Sequence, residues 1–108
     1  MKRIEFIGTS LEDLRAFPEP VRKEAGVQLH KVQLGFEPSD WKPMITVGRG
    51  VREIRILDEV GAFRVLYVTR VADVLYGLHA FQKRTQKTPK RDLDLTASRL
   101  RQIQERPQ

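Results

Sequence analysis

Three apolar stretches lie close together between residues 53 and 81, and their spacing restricts the fold more than any other feature of the chain. Ile54 and Ile56 alternate with Glu53 and Arg55. Phe63, Val65 and Tyr67 alternate with Arg64, Leu66 and Val68. The third stretch runs from Val74 to Phe81. Alternation of this kind puts one set of side chains on each face of a strand. The linkers "LDEVGA" and "RVAD" are too short for a parallel crossover, which needs a dozen or more residues. Three consecutive strands in an antiparallel meander are therefore expected.

The flanking segments read as helices with one further strand. Ile4 and Phe6, with Gly8, keep a strand period. Thr9-Ser10-Leu11-Glu12 has the form of a capping box, with the Thr9 hydroxyl on an open helix amide and Glu12 reaching back. The helix that follows turns Leu11 and Leu14 inward and stops near Phe17, before Pro18. A second helix is expected from about Pro20, because proline is tolerated in a first turn. Val21, Ala25, Leu29, Val32 and Phe36 fall on one face of it, and Gly35 is its expected stop. With only Phe17-Pro18-Glu19-Pro20 between them, the two helices should form a hairpin. Residues 37–50, with two prolines and two glycines, read as a loop anchored by Trp41 and Met44. A last helix is expected from Asp92 or Asp94 to Arg106, with Leu93, Ala97, Leu100 and Ile103 on one face and the two acids at its start. Together these make a single α+β domain over residues 1–108.

Composition removes several classes of function. The chain has no cysteine and only two histidines, His30 and His79, far apart in sequence. Disulfides and thiolate sites are excluded, and a structural metal site is not expected. Nothing in the sequence calls for a cofactor. No apolar run approaches the roughly 18 residues that a membrane span needs. The first residues, Met1-Lys2-Arg3-Ile4-Glu5, turn acidic before a signal-peptide core could form. A soluble protein of the cytoplasm is the expectation.

Charge is unevenly placed. Residues 82–108 hold 8 Lys or Arg against 3 Asp or Glu, a net +5, whereas residues 1–81 hold 12 against 11, a net +1. Lys83, Arg84, Lys87, Lys90 and Arg91 fall within nine residues. Such a block suits a polyanion, either nucleic acid or an acidic protein segment. It equally suits a lysine-rich surface kept for solubility.

The order strand, two helices, three strands, helix carries a resemblance. "VREIRILDEVGAFRVLYV" followed by "VLYGLHAFQKRTQKTPKRDLDLTASR" resembles the RelE/ParE toxin superfamily, and more narrowly its HigB-like, phage-associated branch in type II toxin–antitoxin systems. The shared features are an arginine-bearing strand, an aromatic–Arg–Val–Leu–Tyr strand, then Phe-Gln-Lys and Thr-Pro-Lys before the final helix. The resemblance implies a small twisted antiparallel sheet with an N-terminal helical hairpin and a C-terminal helix. It implies a toxin that cuts mRNA on the ribosome, with mRNA, the ribosome and a helix-turn-helix antitoxin of the HigA type as partners. The same fold also serves ParE-like inhibitors of DNA gyrase, and an inactive antitoxin-binding module is a third possibility, since fold alone does not decide function.

The residues can be read beside that resemblance. RNA cleavage without a metal requires loss of the 2′-hydroxyl proton, protonation of the leaving 5′-oxygen and positive charge around the phosphate. A guanidinium suits the last task through paired bonds to phosphate oxygens. Arg64 lies mid-strand, Arg55 on the preceding strand and Lys83 where the third strand ends. If the meander forms, they can converge on one face as catalytic cations. Arg64 can instead pair with Asp58 or Glu59, and Arg55 with Glu53 or a cross-strand acid. His79 is either an acid–base group or a packed strand histidine. Arg84, Lys87, Lys90 and Arg91 are candidates for steering the RNA backbone. Trp41 anchors its loop or stacks on a base. Better-characterised members place a tyrosine, or an acid–aromatic–histidine cluster, near the C-terminus. Here no tyrosine follows Tyr76 and no histidine follows His79, so the proton-transfer half of the chemistry has no obvious counterpart.

Overall fold

A computed structural model of the chain describes residues 1–69 and 73–104. The elements are β1 (Arg3–Phe6), α1 (Ser10–Arg15), α2 (Glu19–Gln33), β2 (Trp41–Pro43), β3 (Val51–Asp58), β4 (Gly61–Thr69), β5 (Val74–Lys83) and α3 (Lys90–Gln104). The strands make one five-stranded sheet in the order β1-β5-β4-β3-β2. The expected meander is present, with β3 antiparallel to β4 and β4 antiparallel to β5. Most of the "RVAD" connection and the helix end beyond Gln104 lie outside the described residues.

The sheet is mixed rather than wholly antiparallel. β1 pairs with β5 in parallel, Arg3 opposite Val74 and Phe6 opposite Gly77. The chain lays down β1 first and returns beside it only after both helices and three strands, so the pairing is set by contacts about 70 residues apart. Residues 37–50 are not all loop. Trp41–Pro43 adds an antiparallel edge strand to β3, where a proline's missing N–H can face away from the ladder. Met44 is buried, as its anchoring role requires, while Trp41 stays half-exposed beneath the Arg52 guanidinium, 4.1 Å from the ring centroid.

The two N-terminal helices do not pack as a hairpin unit. α1 lies against β5 and α2 against β3, so each is held by the sheet. Thr9 does not close a capping box with Glu12. Its hydroxyl donates to Asp13 Oδ2 at 2.8 Å and accepts from Arg99 Nη2 at 3.0 Å. Val21, Ala25, Leu29 and Val32 are buried as their spacing predicts, but Phe36 is 65% exposed. The chain ends α2 before reaching it. Gly35 takes φ +92°, its N–H meets the Val32 carbonyl, and Phe36 N–H reaches back to Lys31. That closure turns Phe36 off the helical face.

Two cores result, one on each side of the sheet. Leu14, Phe17, Val21, Ala25, Leu29 and Val32 share the first with Ile54, Ile56, Phe63, Val65 and Tyr67. Leu100 and Ile103 of α3 share the second with Val51, Leu66, Val68, Tyr76 and Leu78. α3 begins at Lys90, earlier than expected, with Pro89 accepting from Asp92 and Leu93. Its buried face carries Asp92, Thr96 and Arg99 beside Leu100 and Ile103, whereas Leu93 and Ala97 are only partly buried. The buried helix face is therefore more polar than an apolar stripe predicts.

Candidate functional site

The meander brings the expected cations to one face. Arg55 pairs directly with Arg64 across β3 and β4, Arg64 with Phe81 across β4 and β5, and Ala62 with Lys83. Directly opposed residues, and residues two apart, share a face. Arg55, Arg64, Phe81 and Lys83 therefore lie on the side that α3 covers. His79 lies on that side too, opposite Leu66, next to a bulge where Leu78 is the extra residue of β5.

At the centre of this face is Glu53, only 1% exposed. One of its carboxylate oxygens, Oε1, is 3.4 Å from Arg64 Nε, an ion pair rather than a well-formed hydrogen bond. The other, Oε2, accepts from Thr88 Oγ1 at 2.9 Å. Arg64 is itself 7% exposed and donates from Nη1 to the Phe63 carbonyl at 3.0 Å. Its partner is Glu53, not Asp58 or Glu59. Burial lowers the Arg64 pKa from its ordinary value and Arg55 adds to the effect, while Glu53 and Asp40 oppose it. A guanidinium stays charged regardless. Glu53 thus holds Arg64 on one side and the chain after β5 on the other.

Beside this pair, Asp40, Arg55, Ile56, Leu57 and Arg64 line a recess of about 230 Å³. It opens at the β3 edge beyond the short β2. Lys83, half-exposed at the end of β5, is acted on by Arg64, Arg55 and Lys42. Loss of hydration lowers its pKa first, these cations lower it further, and Glu53 pulls the other way. The group as a whole presents fixed positive charge at an accessible edge, which suits a phosphate.

His79 is placed differently. It is buried and stacks on Phe81, with ring centroids 5.0 Å apart. Nε2 lies 2.7 Å from Asp92 Oδ1, where a ring N–H donates to the carboxylate. Nδ1 is buried without a hydrogen-bond partner among the described residues. The pair ties the start of α3 to β5. Arg99 adds a second tie, donating from Nη1 to the Leu78 carbonyl at 2.9 Å.

Of the basic block, Arg84 donates to Gln82 Oε1 at 2.9 Å and Lys87 is exposed, its carbonyl accepting from Thr85. Lys90 pairs with Asp94 at 2.8 Å, and Arg91 Nε is 3.9 Å from Asp92 Oδ2. Arg84 and Lys87 therefore sit on the strand-to-helix connection. Lys90 and Arg91 begin α3, partnered by its own acids. His30 is exposed on α2. Among the described residues no group of three or more His, Cys, Asp or Glu could hold a metal ion, and no helix is long and apolar enough to cross a membrane.

A family model described as phage derived protein Gp49-like (DUF891) matches residues 12–101. The chain belongs to the Gp49-like family. This family is known as one of RelE-like toxins. The match takes in all of Glu53, Arg55, Arg64, His79, Lys83 and Asp92. No curated protein matches the chain. Glu53, Thr88, Asp92 and Arg99 are the residues that strand and helix periodicity did not single out. Glu53 sits at an outward position of an alternating strand, and only the packing of the 84–89 connection over that face makes it central.

Proposed function

We propose that this Gp49-like protein is a HigB-type toxin that cuts mRNA on the ribosome without a catalytic metal. The observation that carries the reading is the opposition of Arg55 and Arg64 across β3 and β4, with Arg64 anchored by buried Glu53 and Lys83 on the same face. A phosphate in the recess beside Arg55 and Arg64 meets two guanidiniums held by strands rather than loops. Their charge is in place before the pentacovalent phosphorus forms, so little reorganisation is needed. The ribosome supplies in-line alignment of the 2′-oxygen. Arg84 and Lys87 add backbone contacts, and Lys90 and Arg91 extend the positive edge. A small helix-turn-helix antitoxin with an acidic segment is the partner that this edge suits, in a salt-sensitive association.

The test compares wild type with Arg64→Lys on purified ribosomes carrying a defined mRNA. Lysine keeps a charge opposite Glu53 but loses the fork. Mapped cuts by wild type, reduced about 100-fold in the variant, support the reading. Absence of cuts, together with inhibition of gyrase supercoiling, moves the protein to the ParE-like alternative. The burial of His79 against Asp92 is what favours that second reading. Absence of both activities leaves the inactive antitoxin-binding module.

A further inference from the structure

Cleavage of the kind proposed needs two proton transfers without a named group, one from the 2′-hydroxyl and one to the departing 5′-oxygen. His79 has Nε2 committed to Asp92 and Nδ1 buried. Tyr67 belongs to the opposite core, under α1 and α2, and Tyr76 is buried in the core beneath α3. Arg55 and Arg64 hold their protons too firmly to give them up near neutral pH. Lys83 is different in each respect. It ends β5 opposite Ala62, two residues beyond Phe81, which pairs with Arg64. Its side chain therefore shares the face of Arg64 and Arg55, and it is half-exposed at the end of β5. The charged groups acting on it come from three strands: Arg64 on β4, Glu53 and Arg55 on β3, and Lys42 on β2. Loss of hydration, joined by three cations against one carboxylate, makes its ammonium a stronger acid than an ordinary lysine.

We infer that Lys83 is the general acid of this site, passing an ammonium proton to the 5′-oxygen as the phosphorus–oxygen bond breaks. The inference rests on the endonuclease reading. The O2′–phosphorus bond forms as the phosphorus–O5′ bond breaks, leaving a 2′,3′-cyclic phosphate and a 5′-hydroxyl. The 2′-hydroxyl proton passes to solvent water, the 5′-oxygen takes its proton from Lys83, and the neutral amine regains one from solvent. Glu53 and Thr88 act as positioning residues, because their bond fixes the chain just beyond Lys83.

The experiment uses two mRNAs on programmed ribosomes, identical except for a sulfur in place of the bridging 5′-oxygen at the cleavage site. A thiolate leaves without being protonated. Wild type should cut both. Lys83→Arg, which keeps the charge but not the transferable proton, should cut the oxygen substrate about 100-fold more slowly and the sulfur substrate at the wild-type rate. Arg64→Lys should be slow on both. If Lys83→Arg slows both substrates equally, or neither, Lys83 is not the acid while the endonuclease reading stands. If wild type cuts neither, that reading falls and takes the inference with it. Equal melting temperatures and equal mRNA affinity for wild type and Lys83→Arg separate the chemical step from folding and binding.

Discussion

β4 presents Phe63, Val65 and Tyr67 to the core under α1 and α2, and Arg64, Leu66 and Val68 to the other side. The first face is filled by aliphatic and aromatic side chains, with Phe17 edge-on to Phe63 at 4.9 Å between ring centroids. The second is apolar only toward Val51, Val68 and Tyr76. Toward the β3–β4 turn it passes into Glu53, Arg55, Arg64 and Lys83. One strand thus fills a core with alternate residues and, through Arg64, carries charge on its other face. Burial of apolar surface is non-directional and tolerates small shifts. A buried ion pair is specific to its partner, and removing one member is costly. The same deletion experiment should therefore give different signatures on the two faces.

The largest effect is expected on the apolar face. Phe63→Ala removes a ring that is nearly inaccessible and contacts Phe17. Loss of transfer energy plus the cavity left behind should cost about 3–5 kcal/mol, read by chemical denaturation. For a domain of this size that is a large part of total stability. On the proposed function, any loss of mRNA cleavage should track the unfolded fraction and recover under stabilising conditions. A cost below about 1 kcal/mol would mean that Phe63 is not held in a close-packed core.

On the charged face stability and activity should come apart. Arg64→Ala leaves Glu53 buried with no opposing guanidinium, so it should destabilise by about 3 kcal/mol, more than a surface arginine would. Glu53→Met together with Arg64→Leu removes both charges. That double variant should be at least as stable as either single one and, on the proposed function, should not cut mRNA. The double-mutant cycle by denaturation gives the coupling. If the double variant is as unstable as the sum of the singles, the pair is not coupled and Glu53 does not position Arg64.

The contrast also explains which parts were legible in the sequence. β3, β4 and β5 were readable because alternation is local and short linkers force antiparallel neighbours. α2 was readable for the same reason, down to Val32. Phe36 continues the period, yet Gly35 closes the helix before it. β1 could be recognised as a strand but not assigned its parallel place beside β5, which depends on contacts across most of the chain. β2 was hidden because Pro43 and the nearby glycines read as loop. At the site, Arg64 and Arg55 could be picked out from the family resemblance together with their strand register. Glu53, Thr88 and the His79–Asp92 pair could not, since each depends on how the segment after β5 folds back over the sheet.

The smallest effect is expected at Tyr67, on the apolar face. Tyr67 is buried there, and its hydroxyl has no hydrogen bond of good geometry among the described residues. Burial raises its pKa above the ordinary tyrosine value. Arg52 opposes that through its hydrogen-bonding influence and its charge, and Glu37 assists it. Tyr67→Phe removes only this oxygen, so near neutral pH the change in stability should stay within about 1 kcal/mol of zero. The sign changes in alkali. An acid whose folded pKa is raised keeps its proton in the folded state while the unfolded chain loses its own. Its contribution is complete below the unfolded value, about 10, and is lost as pH rises from there through the folded value. Wild type should therefore lose stability faster than Tyr67→Phe above about pH 10. Parallel denaturation series for the two proteins from neutral to alkaline pH measure this directly. Curves that stay parallel throughout would mean that the Tyr67 hydroxyl reaches solvent, and that the face under α1 and α2 is less dry than its side chains indicate.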